Sequence, residues 1–389
     1  MTDILRVNAA LTETADAFDP QLPMGGGFAG GKTIPSGIEY TGGGKAVLRF
    51  YAPSASSVDV RLGYPEGPAF GMERRTDGVW AVTLSVDSLE HAGDRYTAIF
   101  FEVDGVYVLN PMAPIGWSHA HPINILDFPG EGYYLVKEVP HGAVARDYYF
   151  SKTCACFKSC LVYTPPGYSS GKWDKLPVLY LQHGYGENET SWIHLGKVNW
   201  IMDNLLAEGK AEPCIIVMNN GMTQTAGSDG VWGWDSLIIE KLLLEDCIPH
   251  IERHYRAASD KWHRAMAGLS MGSAQTSVTT LKHPDLFGYA GIFSGFLGVP
   301  RNQQNVRNEH FSAFEDRAKL LESYKLFFRC IGEADQFLER YNNESAMLDG
   351  KGLSPNEWPA HVQATYPGGH DWNVWRPCVR DFLSLAFKA

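Results

Sequence analysis

RAMAGLSMGSAQT, Arg264 to Thr276, is the stretch whose reading decides the fold. Apolar Ala265-Met266-Ala267 leads into Gly268-Leu269-Ser270-Met271-Gly272, and the small and polar residues that follow suit the start of a helix. Between strand and helix the chain must turn sharply, and a glycine on each side of the serine leaves room for a strained backbone. Such a nucleophile elbow lifts the Ser270 hydroxyl above the sheet, at the positive end of the next helix. It also sets the backbone N–H of Met271 to donate to an oxyanion. A second match to the pattern, Gly167-Tyr168-Ser169-Ser170-Gly171, follows Pro165-Pro166 and precedes Lys172-Trp173-Asp174-Lys175. No strand feeds it and no helix leaves it, so it reads as a surface turn.

Working outward, the chain on either side of the elbow alternates strands with helices. Leu161 to Thr164 ends one strand, and Leu176 to Gln182 is a nearly continuous apolar run, as a buried parallel strand requires. Trp200 to Ala207 reads as an amphipathic helix, Cys214 to Met218 as the next strand, and Ile238 to Tyr255 carries helical spacing. Beyond the elbow, Tyr289 to Phe293 and Leu326 to Ile331 are further strands. The expected fold class is therefore α/β: an α/β-hydrolase with a doubly wound, mostly parallel sheet over residues 141–389.

Residues 1–140 differ in pattern: a Gly-rich segment precedes short period-two runs, Ala46 to Tyr51, Val58 to Leu62, Trp80 to Leu84, Arg95 to Phe101 and Val106 to Val108. Alternation with turns between the runs predicts a small β-sandwich. Gly26 to Thr33, GGFAGGKT, matches the P-loop expression, but prolines on both sides are hostile to the strand and helix that motif needs, so a loop is expected. Trp80 and Trp117 are expected in the sandwich core rather than on sugar.

A serine hydroxyl needs a general base oriented by an acid, which in this fold follow in the order Ser, Asp or Glu, His. Of the histidines after the elbow, His283 sits too close behind its helix, His310 closes a polar insertion and His361 lies in the last strand. His370, in Tyr366-Pro367-Gly368-Gly369-His370-Asp371-Trp372, falls on a glycine-hinged loop beyond a strand and is the expected base. Asp335, on the loop after Phe327 to Ile331, is the expected acid, with Glu333 in reserve; Asp371 is adjacent to the base and cannot fold back on it. His183-Gly184-Tyr185-Gly186 follows the first buried strand, where the N–H of Tyr185 would be the second oxyanion donor and His183 a structural residue. Trp192, Trp234 and Trp372, with Trp232 and Trp375, are candidate rim residues for gripping a phenolic ring or sugars.

His183 to Glu189, Ile201 to Lys210, Ala267 to Gly272 and Gly368 to Arg376 together resemble carbohydrate esterase family 1, the esterase D-like group that includes feruloyl and acetyl xylan esterases. Phe50-Tyr51-Ala52-Pro53, Asp77-Gly78-Val79-Trp80 and Asn110-Pro111-Met112-Ala113-Pro114 resemble the immunoglobulin-like E-set domain that precedes some of those enzymes. The resemblance implies Ser270 as nucleophile, Asp335 as acid and His370 as base of a serine carboxylesterase acting on feruloyl esters of plant cell-wall polysaccharide or oligosaccharide. Acetyl xylan esterase and enterochelin-type siderophore esterase are the alternatives, and a sugar-binding protein on a hydrolase scaffold the non-enzymatic one. Ser273 departs from the family, which commonly has glycine there.

Composition narrows the partners. The 389 residues are 44% hydrophobic and 20% charged, with a formal net charge of −11. That balance argues against nucleic acid and anionic membrane surfaces, both of which need clustered Lys and Arg. No apolar run approaches the ~20 residues of a membrane span. The first residues, MTDILRVNAALTETADAFDP, lack a basic segment followed by an apolar one, so the expectation is a cytoplasmic protein, or a secreted one if the sequence was trimmed. Seven cysteines do not suggest a disulfide framework. Cys154, Cys156 and Cys160 have the even spacing of one strand face but match no zinc pattern. No metal or cofactor is expected.

Overall fold

The computed structural model describes residues 36–130, 132–226, 232–234, 238–298 and 309–388, apart from the side chains of 224–226, 232–234 and 309–310. Gly26 to Thr33 lies outside these residues.

The apolar runs around the elbow assemble into one eight-stranded sheet. In chain order its strands are β1 (Ala143–Ser151), β2 (Cys156–Thr164), β3 (Val178–Gln182), β4 (Ile215–Asn219), β5 (Arg264–Leu269), β6 (Tyr289–Phe293), β7 (Leu326–Gly332) and β8 (His361–Tyr366). Across the sheet they lie in the order 1-2-4-3-5-6-7-8. β1 and β2 are antiparallel to their neighbours and the other strands are parallel. This is an α/β-hydrolase sheet, and β5, which carries the elbow, runs between β3 and β6 at its centre.

Alternation along each buried strand feeds two opposite layers. Leu179 and Leu181 of β3, with Ile216 and Met218 of β4, pack with the helices Val198–Ala207 and Trp372–Leu385. Val178, Tyr180, Ile215 and Val217 face the other way, onto the helical run from Ile239 to Ile251. That run passes through a π-helical turn at Leu243–Cys247, which the helical spacing did not announce. The strand face predicted for three cysteines holds two of them, because β2 begins at Cys156 and left-handed Ala155 (φ 53°) closes the preceding turn. Cys154 sits in that turn and still packs with Cys160.

Ahead of the sheet, residues 38–127 form two antiparallel sheets whose inner faces meet. Ala46, Leu48 and Trp80 of one oppose Val58, Val60, Ile99, Phe101 and Leu126 of the other. Trp80 is core, its indole N–H donating to the Ala52 carbonyl at 2.9 Å; Trp117 is half-buried. The sandwich is clamped to the C-terminal helix. Asn373 accepts the backbone N–H groups of Arg95 and Tyr96 at 2.9 and 3.0 Å. Arg376 forks onto both oxygens of Asp127 at 2.9 and 2.8 Å and donates through Nε to the Leu195 carbonyl at 2.8 Å.

Candidate active site

Ser270 stands between β5 and the helix Met271–Lys282 with φ 51° and ψ −114°. A serine in that left-handed region is strained by on the order of 1–2 kcal/mol, which the surrounding packing must hold. Close approach holds it: a Cβ on Gly272 would lie 2.6 Å from the His183 carbonyl oxygen, so only glycine lets the helix start against the end of β3. Met271 and Gly272 occupy the first turn, where N–H groups have no acceptor within the helix and the dipole favours negative charge.

The acid and base meet because their loops are bonded to each other. Glu333 N–H donates to the Tyr366 carbonyl at 2.8 Å and Ala334 N–H to that of Gly368 at 3.0 Å. A Cβ on Gly332 would lie 2.5 Å from the carbonyl oxygens of both Gly368 and Gly369. His370 is thereby set with Nδ1 2.8 Å from Asp335 Oδ2 and Nε2 2.9 Å from Ser270 Oγ. A carboxylate only accepts, so Nδ1 carries the proton and Nε2 is the acceptor for the serine hydroxyl. Asp335 is buried and accepts a second bond from Phe337 N–H at 2.9 Å. Glu333, the reserve acid, is exposed to solvent. Asp371 turns away and caps the C-terminal helix, accepting Asn373 N–H at 2.8 Å; burial, with the charge of Asp94, pushes its carboxyl up to about 6.

The loop after β3 comes up beside the elbow. A Cβ on Gly184 would stand 3.6 Å from Ser270 Cβ, and Tyr185 follows with its side chain exposed. His183 is buried, which lowers it to about 4 and keeps it neutral. Its Nε2 accepts the Gly221 N–H at 2.8 Å while Nδ1 donates to the Gly184 carbonyl at 2.7 Å, so it ties the loops after β3 and β4.

The rim role expected of Trp192 and Trp372, and of Trp375, is corrected by the structure: all are buried, at 1%, 2% and 7% exposure. They stack edge to face, Trp192 on Trp372 at 5.0 Å, Trp372 on Trp375 at 5.1 Å, and Trp375 on the His370 ring at 5.1 Å. Their indoles fill the space between two helices and back the base instead of meeting solvent. Trp232 and Trp234 belong to a two-stranded hairpin, and their side chains lie outside the described residues.

Glu187 went unnoticed in the sequence. Buried beneath the loop, it accepts Gly184 N–H at 2.9 Å and the Trp372 indole N–H at 3.2 Å, joining the β3 loop to the helix behind His370. Burial pushes its carboxyl up to about 8, against those two bonds, which favour the charged form. A carboxyl with a raised folded pKa contributes stability that is full below its unfolded value, about 4.3, and lost as pH rises through the folded one. Urea midpoints should therefore fall between about pH 4.3 and about pH 8, and Glu187→Gln should flatten that fall. An unchanged slope in the variant would contradict this.

Ser273, the departure from the family pattern, has a defined job. Its hydroxyl donates to the Ser270 carbonyl and accepts Phe296 N–H at 2.9 Å, strapping the loop after β6 to the elbow. Gly295 makes room, since a Cβ there would fall 1.5 Å from Ser273 Oγ. Ser273→Ala leaves Phe296 N–H buried without its acceptor and is expected to cost about 1–3 kcal/mol in urea unfolding. A loss below about 0.5 kcal/mol would mean that the strap carries no load.

An elbow serine bonded to a histidine that is bonded to a buried aspartate defines a serine hydrolase of the α/β-hydrolase class. The family model described as Esterase matches residues 151–382, and the chain belongs to that family. An endo-1,4-beta-xylanase/feruloyl esterase of Xylanibacter ruminicola is 30% identical over 351 residues, 89% of this chain and 45% of that protein. The chain thus spans less than half the length of this curated relative. A solved ferulic acid esterase is 28% identical, with a TM-score of 0.53 over 63% of this chain and 97% of its own. The enterobactin esterase of Shigella flexneri is similar over 89% of this chain and 94% of its own, with a TM-score of 0.58. At 14% identity that likeness is one of fold alone.

Proposed function

We propose that the protein is a serine carboxylesterase that releases feruloyl groups from plant cell-wall polysaccharide or oligosaccharide esters through an acyl-enzyme. The observation that carries the reading is the unbroken chain from Ser270 through His370 to Asp335, at 2.9 and 2.8 Å. His370 takes the hydroxyl proton as Ser270 Oγ attacks the ester carbonyl. Asp335 holds the imidazolium that forms. The oxyanion rests on the N–H groups of Met271 and Tyr185, each worth about 3 kcal/mol in sites of this kind. His370 then protonates the departing sugar hydroxyl, and a water deprotonated by the same ring frees the ferulate.

The substrate class rests on similarity to the xylanase/feruloyl esterase of Xylanibacter ruminicola and to the solved ferulic acid esterase. A siderophore-esterase reading draws on the two-part layout shared with the Shigella enzyme. Turnover of methyl ferulate, an acetylated xylo-oligosaccharide and a cyclic catecholate ester, each by the parent and by Ser270→Ala, tests the proposal. Methyl ferulate should be the preferred small ester; preference for either of the others would replace this reading.

A further inference from the structure

The loop that brings in the base is short and soft. Between Tyr366, the last residue of β8, and His370 lie Pro367, Gly368 and Gly369. Gly368 has φ 113°, a conformation that favours glycine, and adjacent glycines give the hinge the greatest backbone freedom a chain can have. A base that must keep Nε2 2.9 Å from Ser270 Oγ needs such a hinge fixed from outside. The acid loop fixes one side, through the bond from Ala334 N–H to the Gly368 carbonyl at 3.0 Å.

The sandwich closes the other side. Its turn from His91 to Asp94 is a compact unit, in which Asp94 N–H donates to the His91 carbonyl and His91 N–H to Asp94 Oδ2, each at 3.1 Å. Asp94 is buried, and a Cβ on Gly368 would lie 3.5 Å from its Oδ1. A Cβ on Gly369 would lie 2.7 Å from His91 Nε2. The two residues after the turn are held by Asn373, which accepts the N–H groups of Arg95 and Tyr96 and donates to the Tyr96 carbonyl at 3.1 Å. Residues 91–96 therefore grip the base loop ahead of His370, at its glycines, and behind it, at Asn373. A further sandwich contact reaches the other loop of the site, where Ala120 N–H donates to the carbonyl of Gly186, the neighbour of Tyr185, at 2.7 Å.

We propose that the segment from His91 to Tyr96 is a positioning element of the esterase, bracing the glycine hinge so that His370 stays in line with Ser270. Turnover of even a small ester then depends on the sandwich. His91 and Asn373 are the positioning residues, and they act through the base and not on the substrate. The inference rests on the Ser270–His370 reading above and deepens it. A loosened base slows proton transfer from Ser270, so the loss belongs to the chemical step and not to substrate binding.

The test uses the intact protein and compares the parent with His91→Ala, His91→Gln and Asn373→Ala. It measures kcat and KM on methyl ferulate per active site, the sites being counted by labelling Ser270 to completion with an aryl phosphonate ester. His91→Ala and Asn373→Ala should each lower kcat per site by roughly five- to twentyfold, with KM within about twofold, and slow the labelling of Ser270 to a similar degree. His91→Gln keeps a polar end in reach of Gly369 and should restore most of the loss. A residue needed for folding alone would lower the urea midpoint and the number of sites that label, but not turnover per site. Unchanged kcat and labelling rate per site in both His91→Ala and Asn373→Ala overturn the inference. A loss carried by KM alone also overturns it, because it would put these side chains on the substrate. A parent whose Ser270 does not label overturns the functional reading, and this inference with it.

Discussion

Ser270→Ala is expected to lower kcat on ester substrates by on the order of 10⁴- to 10⁶-fold, with little change in KM. Ser270, His370 and Asp335 act as a unit, so His370→Ala should cost about as much as Ser270→Ala, and the double variant scarcely more. Asp335→Asn should lose about 10⁴-fold, because an amide facing Nδ1 favours the tautomer that leaves Nε2 protonated and unable to take the serine proton. Buried Asp335 has Phe337 N–H on its other oxygen, which fixes the carboxylate and leaves little freedom to compensate. Steady-state kinetics on methyl ferulate reads all three variants. Losses that multiply from one variant to the next would mean three independent contributions and no relay.

The second large effect concerns the junction between sandwich and sheet. Arg376 is 2% exposed, forks onto Asp127, and lies over the rings of Tyr134 and Tyr96 with its carbon Cζ 4.6 and 5.4 Å from their centroids. Arg376→Met keeps most of the volume and removes the charge, leaving the buried Asp127 carboxylate with Lys197 at 3.9 Å as its remaining cation among the described residues. Breaking one half of a buried pair costs about 3–5 kcal/mol, far more than the pair itself is worth against apolar replacements. Urea unfolding of Arg376→Met should show a loss of that size, and Arg376→Met with Asp127→Asn should recover part of it. A single-variant loss near that of a surface pair, below about 1 kcal/mol, would mean that the clamp does not hold the two parts together.

How much was legible in the sequence follows from how local each signal is. The elbow is local: strand, two glycines, serine and helix lie within one short stretch, and the two matches to its pattern part company on their flanks alone. Structure places the second match in a turn whose Ser170 hydroxyl bonds the Gly167 carbonyl; a strand does end just before it, at Thr164, contrary to expectation, and what sets the turn apart is that no helix leaves it. Asp335 and His370 are nearly local, each on a loop just beyond a strand end, and the structure brings both to Ser270. The tryptophans are another matter. Trp372 and Trp375 are three residues apart on the C-terminal helix, a spacing that puts them on one face, and that face is turned inward. Helical spacing marks both as core, however near they lie to the His370 loop. Glu187 bonds Gly184 only three residues away, but its second partner, Trp372, comes from the C-terminal helix, and only the fold brings that indole to it. The same holds for the contact of Ala120 with Gly186: both loops are visible in the sequence, and their meeting is a product of tertiary packing.

In the proposed reaction Ser270 carries the acyl group. Treating the intact protein with an aryl phosphonate ester, then measuring its mass and mapping the labelled peptide, tests this most directly. One adduct on Ser270 is predicted, absent from Ser270→Ala and strongly slowed in His370→Ala. Labelling of another serine, such as Ser169 or Ser170, with Ser270 unmodified, or ester turnover that survives in Ser270→Ala, would contradict it.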